Sequence, residues 1–308
     1  MQIVVHLEHP VPPLTLSPRQ AEALRRALPD HDVRVCRDEA AFLGELPAAD
    51  AALVWKFLPE WYERAPALRY VFTPAAGREG VAADPRGKII PRHGTFHGRV
   101  MAESLLAMIG FVNRRFAAAL DAQRRCAWNR APYLTTRRLA EQTALLVGYG
   151  NIGRRCARLL KAVGMTVYAL KRDTRVGTEG ADRVFAPDEL HEALWTADHV
   201  ACMLPSDTGT DAFLDRAAFA QMKPSAAVYN IGRGNAIDAG ALEEALRTGR
   251  IAAAFLDVVP EEPLPAESPL WSAPNLFITP HVSALTADYL DLYFEELVLL
   301  LERLAPQG

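Results

Sequence analysis

The chain has 308 residues, half of them hydrophobic and 23% charged, with a formal net charge of −3 at pH 7. This composition is typical of a globular protein with room for two domains of ordinary size. The slightly acidic balance argues against nucleic acid or an anionic membrane surface as a partner. No stretch approaches the length of an apolar membrane span and the amino terminus lacks a signal-peptide pattern, so we expect a cytoplasmic protein.

The four cysteines are scattered along the chain, with no C-x-x-C pair and no companion histidines at metal-ligand spacing. They are Cys36, Cys126, Cys156 and Cys202. Each lies in an apolar or mixed local pattern, which favours buried free thiols over disulfides or metal ligands. We therefore expect no bound metal.

Short strands alternate with helices in the first 95 residues. Strands are predicted at 3–7, 33–36, 51–55 and 68–73, with a further one at 88–91. A helix is predicted from Pro18 to about Leu28, because Ser17 is a suitable N-cap and proline suits the first helical position. This alternation predicts a parallel sheet covered by helices. The segment is expected to form a first α/β domain without a glycine fingerprint.

A β-α-β unit with a glycine fingerprint stands near the middle of the chain. An apolar strand at 145–147 runs into G-x-G-x-x-G, and a helical apolar pattern and a second strand at 165–170 follow. The six residues of the fingerprint are Gly148, Tyr149, Gly150, Asn151, Ile152 and Gly153. In such a unit the glycines permit a tight turn, close approach of a pyrophosphate and close helix packing. We predict a dinucleotide site, although glycines also serve simple turns.

The remaining elements complete a two-domain α/β protein. One long helix is predicted from His97 to Arg124. After the β-α-β unit come helices at 187–195, 216–222 and 239–248 and strands at 199–204, 226–231, 251–256 and 276–279. An apolar helix from about Ala287 to Leu304 is expected to pack back onto the first domain. We predict two doubly wound parallel-sheet, Rossmann-like domains: a substrate-binding domain of residues 1–96 and 284–308, and a dinucleotide-binding domain of residues 97–283.

Three predicted strand ends in the second half carry ionisable residues beside glycine or proline. Arg233 follows the strand at 226–231, Asp257 and Glu262 follow the next strand, and His281 follows the strand at 276–279. Ligands of an open parallel sheet bind outside the carboxyl ends of its strands. These side chains could therefore converge beside a cofactor held by the glycine loop.

These motifs carry a family resemblance. The succession Asn-x-x-Arg-Gly, Asp-Val-x-x-x-Glu-Pro-Leu and Thr-Pro-His after G-x-G-x-x-G resembles the D-isomer-specific 2-hydroxyacid dehydrogenases. The resemblance covers nearly the whole chain and implies reduction of a small 2-keto acid, of the glyoxylate or hydroxypyruvate type, by a nicotinamide cofactor. It places the family's catalytic arginine on Arg233, its glutamate on Glu262 and its histidine on His281. It also implies a homodimer.

The chemistry of the reaction gives each of these residues a role. Reduction of a keto acid needs a hydride and a proton, and histidine, with an unperturbed pKa of about 6.5, can donate the proton near neutral pH. Glu262 would orient the ring and favour its protonated form. Arg233 offers a planar fork of donors to the substrate carboxylate and carbonyl oxygen. Asp257 is expected near the nicotinamide, with a structural strand-end acid as the alternative.

The loop after the strand at 68–73 resembles the family's substrate loop, in which backbone N–H groups bind the carboxylate. Its candidate residues are Ala76, Gly77 and Arg78. An ordinary turn would also use this glycine. Trp55, Lys56 and Trp61 could line the substrate mouth, with core packing of the tryptophans as an equal alternative.

The cofactor preference depends on the residue after the second strand of the β-α-β unit. An acid about twenty residues beyond the third glycine hydrogen-bonds the ribose 2′-hydroxyl of NAD, whereas an arginine there accommodates a 2′-phosphate. Lys171 stands at that register, with Arg172 and Arg175 close behind it. We therefore predict a preference for NADP(H). NAD(H) is the alternative, because Asp173 lies two residues further on.

Further cofactor contacts are expected from position in the chain. Leu204 and Pro205 end a strand where the family places backbone against the cofactor, and Ile231 precedes the candidate arginine.

Two other functions stay open from sequence alone. One is an NAD-dependent dehydrogenase of another small acid, and the other is a nucleotide-sensing corepressor of the same fold. A corepressor would need a peptide groove and usually has disordered tails, which the sequence does not suggest. The long form of phosphoglycerate dehydrogenase is disfavoured, because the chain ends after its closing helix.

Overall fold

A computed structural model describes residues 1–304 of the chain. The contacts divide the described residues into two compact units, residues 1–97 with 285–304, and residues 98–284. Each unit contains one parallel sheet with helices, which confirms the predicted α/β class with two parallel-sheet domains. Within the described residues, no helix is long and apolar enough to span a membrane.

The first unit is built on a five-stranded parallel sheet in the order β2-β1-β3-β4-β5. Its strands are β1 (Gln2–His6), β2 (Asp32–Val35), β3 (Ala51–Val54), β4 (Tyr70–Thr73) and β5 (Arg92–His93). Its helices are α1 (Pro18–Ala27), α2 (Glu39–Glu45) and the C-terminal α9 (Tyr289–Leu304). Ser17 and Gln20 cap α1 reciprocally, as the sequence predicted for Ser17. Gln20 Nε2 also donates to Asp291 Oδ2 at 3.1 Å, so α9 returns to this unit.

The second unit contains a seven-stranded parallel sheet in the order β12-β11-β10-β9-β6-β7-β8. The strands are β6 (Thr143–Val147), β7 (Thr166–Leu170), β8 (Arg183–Phe185), β9 (His199–Cys202), β10 (Ala227–Asn230), β11 (Ala253–Leu256) and β12 (Leu276–Ile278). The helices are α3 (Gly98–Asn113), α4 (Phe116–Arg124), α5 (Asn151–Ala162), α6 (Leu190–Thr196), α7 (Arg216–Gln221) and α8 (Ala239–Arg247). All residues of β9 and β10 are buried, as expected for parallel strands covered on both faces.

The single long helix predicted from His97 to Arg124 is wrong. It is divided into α3 and α4 at Arg115, whose backbone is left-handed with φ 56° and ψ 36°. Asn113 ends α3 in polar contacts: its amide donates to Arg137 O at 3.1 Å and accepts from Gln142 Nε2 at 3.0 Å. These contacts come from residues distant in sequence, and no glycine or proline marks the break.

The predicted strand at 88–91 is also displaced, because β5 begins at Arg92. The backbone N–H groups of Lys88 and Ile89 donate to Asp84 Oδ2 at 3.2 and 3.0 Å. A turn around the buried Asp84 carboxylate therefore uses the donors that a strand would need. The short elements α2 and β8 were not predicted.

A buried histidine lies at the amino end of β9, at the edge of the sheet opposite the glycine loop. The ring of His199 lies 3.0 Å from Tyr229 Oη through Nδ1 and 2.8 Å from Gln142 Oε1 through Nε2. Gln142 Oε1 can only accept, so the neutral ring donates from Nε2 and accepts the tyrosine O–H at Nδ1. Burial lowers the pKa of His199 to about 4.

This histidine is expected to make stability depend on pH. Its folded pKa of about 4 lies below the unfolded value of about 6.5, so the unfolded chain takes up the proton first as the pH falls. The free energy of unfolding should fall by up to about 1.4 kcal/mol per pH unit between those values. Urea unfolding from pH 7 to 4.5 measures this. His199→Gln should flatten the dependence and the exposed His191→Gln should not; equal slopes for both variants would contradict the assignment.

Candidate active site

The candidate site lies at the carboxyl ends of the seven parallel strands. The order of this sheet reverses between β6 and β9, which is the switch point where open α/β sheets bind ligands. The glycine loop follows β6, Lys171 follows β7 and Leu204 follows β9. The loops after β10, β11 and β12 open at the same edge, because all strands run parallel.

The three glycines of the fingerprint meet three different steric requirements. Gly148 has φ 96°, and a Cβ there would lie 2.9 Å from Met203 O. A Cβ on Gly153 would lie 2.6 Å from Gly148 O, so only glycine lets α5 pack this closely on the loop. A Cβ on Gly150 would meet no atom within 4 Å, so this backbone faces open space at the start of α5. This arrangement fits a pyrophosphate, which needs open backbone N–H groups at a helix N-terminus.

The other fingerprint residues differ in exposure. Asn151 is exposed and Ile152 is half-buried. Tyr149 is buried, and its hydroxyl donates to Glu179 O at 2.8 Å. Burial raises the pKa of Tyr149 to about 12, so it remains a neutral donor at physiological pH. Its side chain ties the loop after β7 to the glycine loop, and only its main chain is left for a ligand.

Arg233 lies in a tightly packed loop after β10. A Cβ on Gly232 would lie 2.7 Å from Leu204 O, and one on Gly234 would lie 2.0 Å from Val259 O. Because both neighbours of Arg233 are glycines, its backbone can pack closely between the loops after β9 and β11. Asn230, which is buried, accepts from Gly232 N at 3.1 Å and donates to Arg233 O at 3.0 Å. The role of this asparagine could not be predicted from its place in the Asn-x-x-Arg-Gly motif.

Asp257 is a buried carboxylate that holds the segment after β12. Its Oδ1 accepts from Thr279 Oγ1 at 2.7 Å and from Val282 N at 2.9 Å. Its Oδ2 accepts from Ser283 N at 2.9 Å. Its backbone carbonyl accepts from His281 N at 2.8 Å. The structure thus favours the structural alternative for Asp257, since these contacts determine the path of the chain around His281.

His281 and Glu262 are hydrogen-bonded to each other at the rim of this edge. His281 Nδ1 lies 2.8 Å from Glu262 Oε2, and Glu262 Oε1 accepts from Val259 N at 3.2 Å. The side chain of His281 is 51% exposed, so its Nε2 can reach a ligand. The backbone of His281 has φ 55°, a left-handed conformation that is unusual outside glycine and common at functional sites. Glu261, the residue that precedes Glu262 in the chain, is exposed.

The three cations after β7 have different hydrogen-bond and ion-pair partners. Lys171 Nζ donates to the carbonyl oxygens of Val176 and Gly177. Arg175 pairs with Asp173 at 3.1 Å, and hydrogen bonds from Arg175 lower the pKa of this carboxyl. Arg172 lies 3.8 Å from Asp207 and is largely exposed.

The loop after β9 is held by its own hydrogen bonds. Leu204 and Pro205 are half-buried, and Ile231 is buried with its N–H donating to Cys202 O at 3.1 Å. Thr210 Oγ1 donates to Pro205 O at 2.7 Å and shapes the loop.

The candidate substrate loop belongs to the first unit, where it follows β4. Ala76 and Arg78 are exposed and Gly77 is half-buried. His93, at the end of β5, is half-buried, and burial lowers its pKa. No motif in the sequence marks this histidine.

For the residues around the site, the structure favours one of two open alternatives for Trp61 and corrects one expectation, that Cys126 is buried. Trp61 is buried and packs on Phe57 with ring centroids 5.5 Å apart, so it belongs to the core and lines no substrate mouth. Cys126 is exposed, whereas Cys36, Cys156 and Cys202 are buried free thiols as predicted. In residues 1–304, no group of three or more His, Cys, Asp or Glu side chains is arranged to hold a metal ion.

Comparison with known proteins identifies the family. Residues 106–283 match the model of the D-isomer specific 2-hydroxyacid dehydrogenase, NAD binding domain. The chain therefore belongs to the D-isomer specific 2-hydroxyacid dehydrogenase family, as the motifs indicated.

Similar proteins in this family are named as two different enzymes. The chain is 32% identical over 266 residues to D-3-phosphoglycerate dehydrogenase of Mycobacterium leprae (strain TN), covering 82% of the chain and 49% of that protein. It thus spans about half the length of that relative. It is 31% identical to glyoxylate/hydroxypyruvate reductase B of Enterobacter sp. (strain 638), covering 80% of the chain and 75% of that protein. The crystal structure of an NADPH-dependent glyoxylate/hydroxypyruvate reductase from Sinorhizobium meliloti, in complex with NADP and sulfate, superposes with TM-score 0.79 at 27% identity, covering 99% and 96% of the two chains.

Proposed function

We propose that the chain is an NADP(H)-preferring 2-hydroxyacid dehydrogenase that reduces a small 2-keto acid of the glyoxylate or hydroxypyruvate type. The observation that carries this proposal is the His281–Glu262 pair, 2.8 Å apart, at the strand edge that also carries Arg233 and the glycine loop. The relationship to glyoxylate/hydroxypyruvate reductases supports the substrate class.

In this proposal His281 is the acid that protonates the carbonyl oxygen. Its Nδ1 is occupied by Glu262, which leaves Nε2 for the substrate. The carboxylate orients the ring, so that a proton on Nε2 points to the place where the carbonyl oxygen would lie. Bound NADPH would supply the hydride. In the reverse direction the same Nε2 would accept the hydroxyl proton.

Arg233 would bind the substrate and stabilise the charge that develops on its oxygen. Its guanidinium provides several N–H donors in one plane, which suits the adjacent carboxylate and carbonyl of a 2-keto acid. The two glycines and Asn230 restrict its backbone, so little reorganisation is needed during the reaction. We further propose that the backbone of Ala76–Arg78 binds the substrate carboxylate.

The cofactor would be held by the glycine loop and selected by the residues after β7. Gly148, Gly150 and Gly153 fit the pyrophosphate, and Leu204, Pro205 and Ile231 would contact the rest of the dinucleotide. Lys171 occupies the position at which an acid would select the 2′-hydroxyl of NAD, which supports NADP(H). The competing acid, Asp173, is paired with Arg175. That pairing makes NAD(H) the weaker candidate.

Initial rates of absorbance loss at the nicotinamide band test the proposal. We expect kcat/KM at least about tenfold higher with NADPH than with NADH, the effect of one charge-assisted hydrogen bond. Glyoxylate, hydroxypyruvate, pyruvate and phenylpyruvate are offered in turn, with His281→Ala as the inactive control. Turnover with NADH alone would contradict the cofactor preference, and no turnover with any keto acid would contradict the reductase.

A second candidate, an NAD-dependent D-3-phosphoglycerate dehydrogenase, is favoured by the 32% identity to that enzyme of Mycobacterium leprae. Including 3-phosphohydroxypyruvate in the assay separates the two. Preference for this phosphorylated substrate together with NADH would replace the first proposal.

We also propose that the protein is a cytoplasmic homodimer. Free thiols are typical of a reducing compartment. Four large apolar side chains, Phe116, Leu120, Trp128 and Leu134, are exposed within one stretch of the second unit, which is common where subunits meet.

A further inference from the structure

Two cationic side chains from different elements meet beside Gly177 in the loop after β7. A Cβ built on Gly177 would lie 2.7 Å from Arg154 Nη1 and 3.3 Å from Lys171 Nζ, so these two nitrogens are within about 6 Å of each other. Arg154 directly follows the third glycine of the fingerprint, in the first turn of α5. Lys171 directly follows β7. Lys171 stands at the register of the residue that selects the cofactor, whereas no motif in the sequence marks Arg154 for this role.

The loop that brings them together is held against the glycine loop. Lys171 Nζ donates to Val176 O and, at 3.3 Å, to Gly177 O. Tyr149 Oη donates to Glu179 O at 2.8 Å. Gly177 has φ 61°, a backbone conformation that suits glycine. These contacts fix the loop and Lys171 relative to the glycine loop.

Lys171 interacts electrostatically with Asp173 and helps to lower the pKa of that carboxyl. Over residues 1–304, neither Arg154 nor Lys171 forms a direct ion pair, and the nearby Asp173 is engaged by Arg175. Two like charges this close repel each other unless an anion is shared between them. A phosphate is a suitable anion, because guanidinium and ammonium groups both donate charge-assisted hydrogen bonds to its oxygens.

We infer that Arg154, together with Lys171, recognises the 2′-phosphate of NADP(H) and is a main determinant of cofactor specificity. The inference rests on the proposed function, since it assumes a nicotinamide dinucleotide on the glycine loop. The ribose 2′ position of such a ligand lies at the end of the second strand of the unit, where this pair stands. Arg172 and Arg175, the other cations predicted for this role, are directed to Asp207 and Asp173.

Binding measurements test the inference without relying on turnover. NADPH, NADH, 2′,5′-ADP and 5′-AMP are titrated by calorimetry into the wild type, Arg154→Gln, Arg154→Lys and Arg158→Gln. Arg158 is an exposed arginine one turn further along α5, so its variant controls for the loss of a positive charge on the helix. We expect Arg154→Gln to weaken NADPH and 2′,5′-ADP at least about tenfold with NADH and 5′-AMP unchanged, Arg154→Lys to restore part of the loss, and Arg158→Gln to stay near wild type.

The outcomes separate this inference from the proposed function. Equal weakening of NADPH and NADH in Arg154→Gln would mean that Arg154 only packs on the loop, and would overturn the inference. Unchanged NADPH affinity would also overturn it, while leaving the reductase and its NADPH preference standing. A wild type that binds NADH as tightly as NADPH would refute the cofactor preference itself. Thermal unfolding of each variant verifies that it is folded.

Discussion

Replacing His281 by alanine is expected to lower kcat for keto-acid reduction by about 10²–10⁴-fold, the usual contribution of a positioned general acid. NADPH affinity should change little, because the imidazole is proposed to act on the substrate oxygen. Stopped-flow or steady-state rates together with NADPH titration measure both quantities. Glu262→Gln keeps a hydrogen bond to the ring and removes the charge, so a smaller loss, about tenfold, is expected.

Two further variants make this result interpretable. His281 has a left-handed backbone, φ 55°, which asparagine tolerates better than alanine. His281→Asn should therefore be folded and equally inactive. The exposed His191→Ala should retain wild-type kcat. If His281→Asn kept more than about a tenth of wild-type kcat, a loss smaller than general-acid catalysis provides, the proposed proton donor would be wrong.

Replacing Asp257 by asparagine is expected to lower both the free energy of unfolding and kcat. The carboxylate is 1% exposed and accepts hydrogen bonds from Thr279, Val282 and Ser283. An amide cannot accept all of them, and leaving a buried N–H unpaired costs about 1–3 kcal/mol. The segment that carries His281 would then lose its defined path, so we expect kcat to fall at least about tenfold, as small displacements of catalytic groups do.

The control separates this role from direct cofactor binding. Asp30→Asn changes an exposed acid in the turn before β2 and should alter neither stability nor kcat. Urea unfolding, kcat and NADPH affinity are compared for both variants. Selective loss of NADPH affinity in Asp257→Asn, with stability unchanged, would favour the original expectation of an acid beside the nicotinamide. Wild-type stability together with wild-type kcat would show that the contacts to residues 279–283 are dispensable.

Local sequence signals predicted most of the elements, because each depends on neighbours in the chain. Ser17 and Pro18 began α1 as expected, since capping uses residues within one turn. The failures occurred where distant residues decide. Asn113 ends α3 through contacts with Arg137 and Gln142, and Asp84 takes the donors of the strand predicted at 88–91.

The sequence by itself determined the family, the α/β class and the residues that carry the proposed chemistry, because glycine spacing and strand-end motifs are properties of short segments. Only the tertiary structure decided what these residues contact. The buried role of Asp257 depends on hydrogen bonds to residues more than twenty positions away. The proximity of Arg154 and Lys171 depends on the path of the loop after β7, which places Gly177 beside both side chains. Such contacts join residues that are distant in the chain, so no local pattern records them.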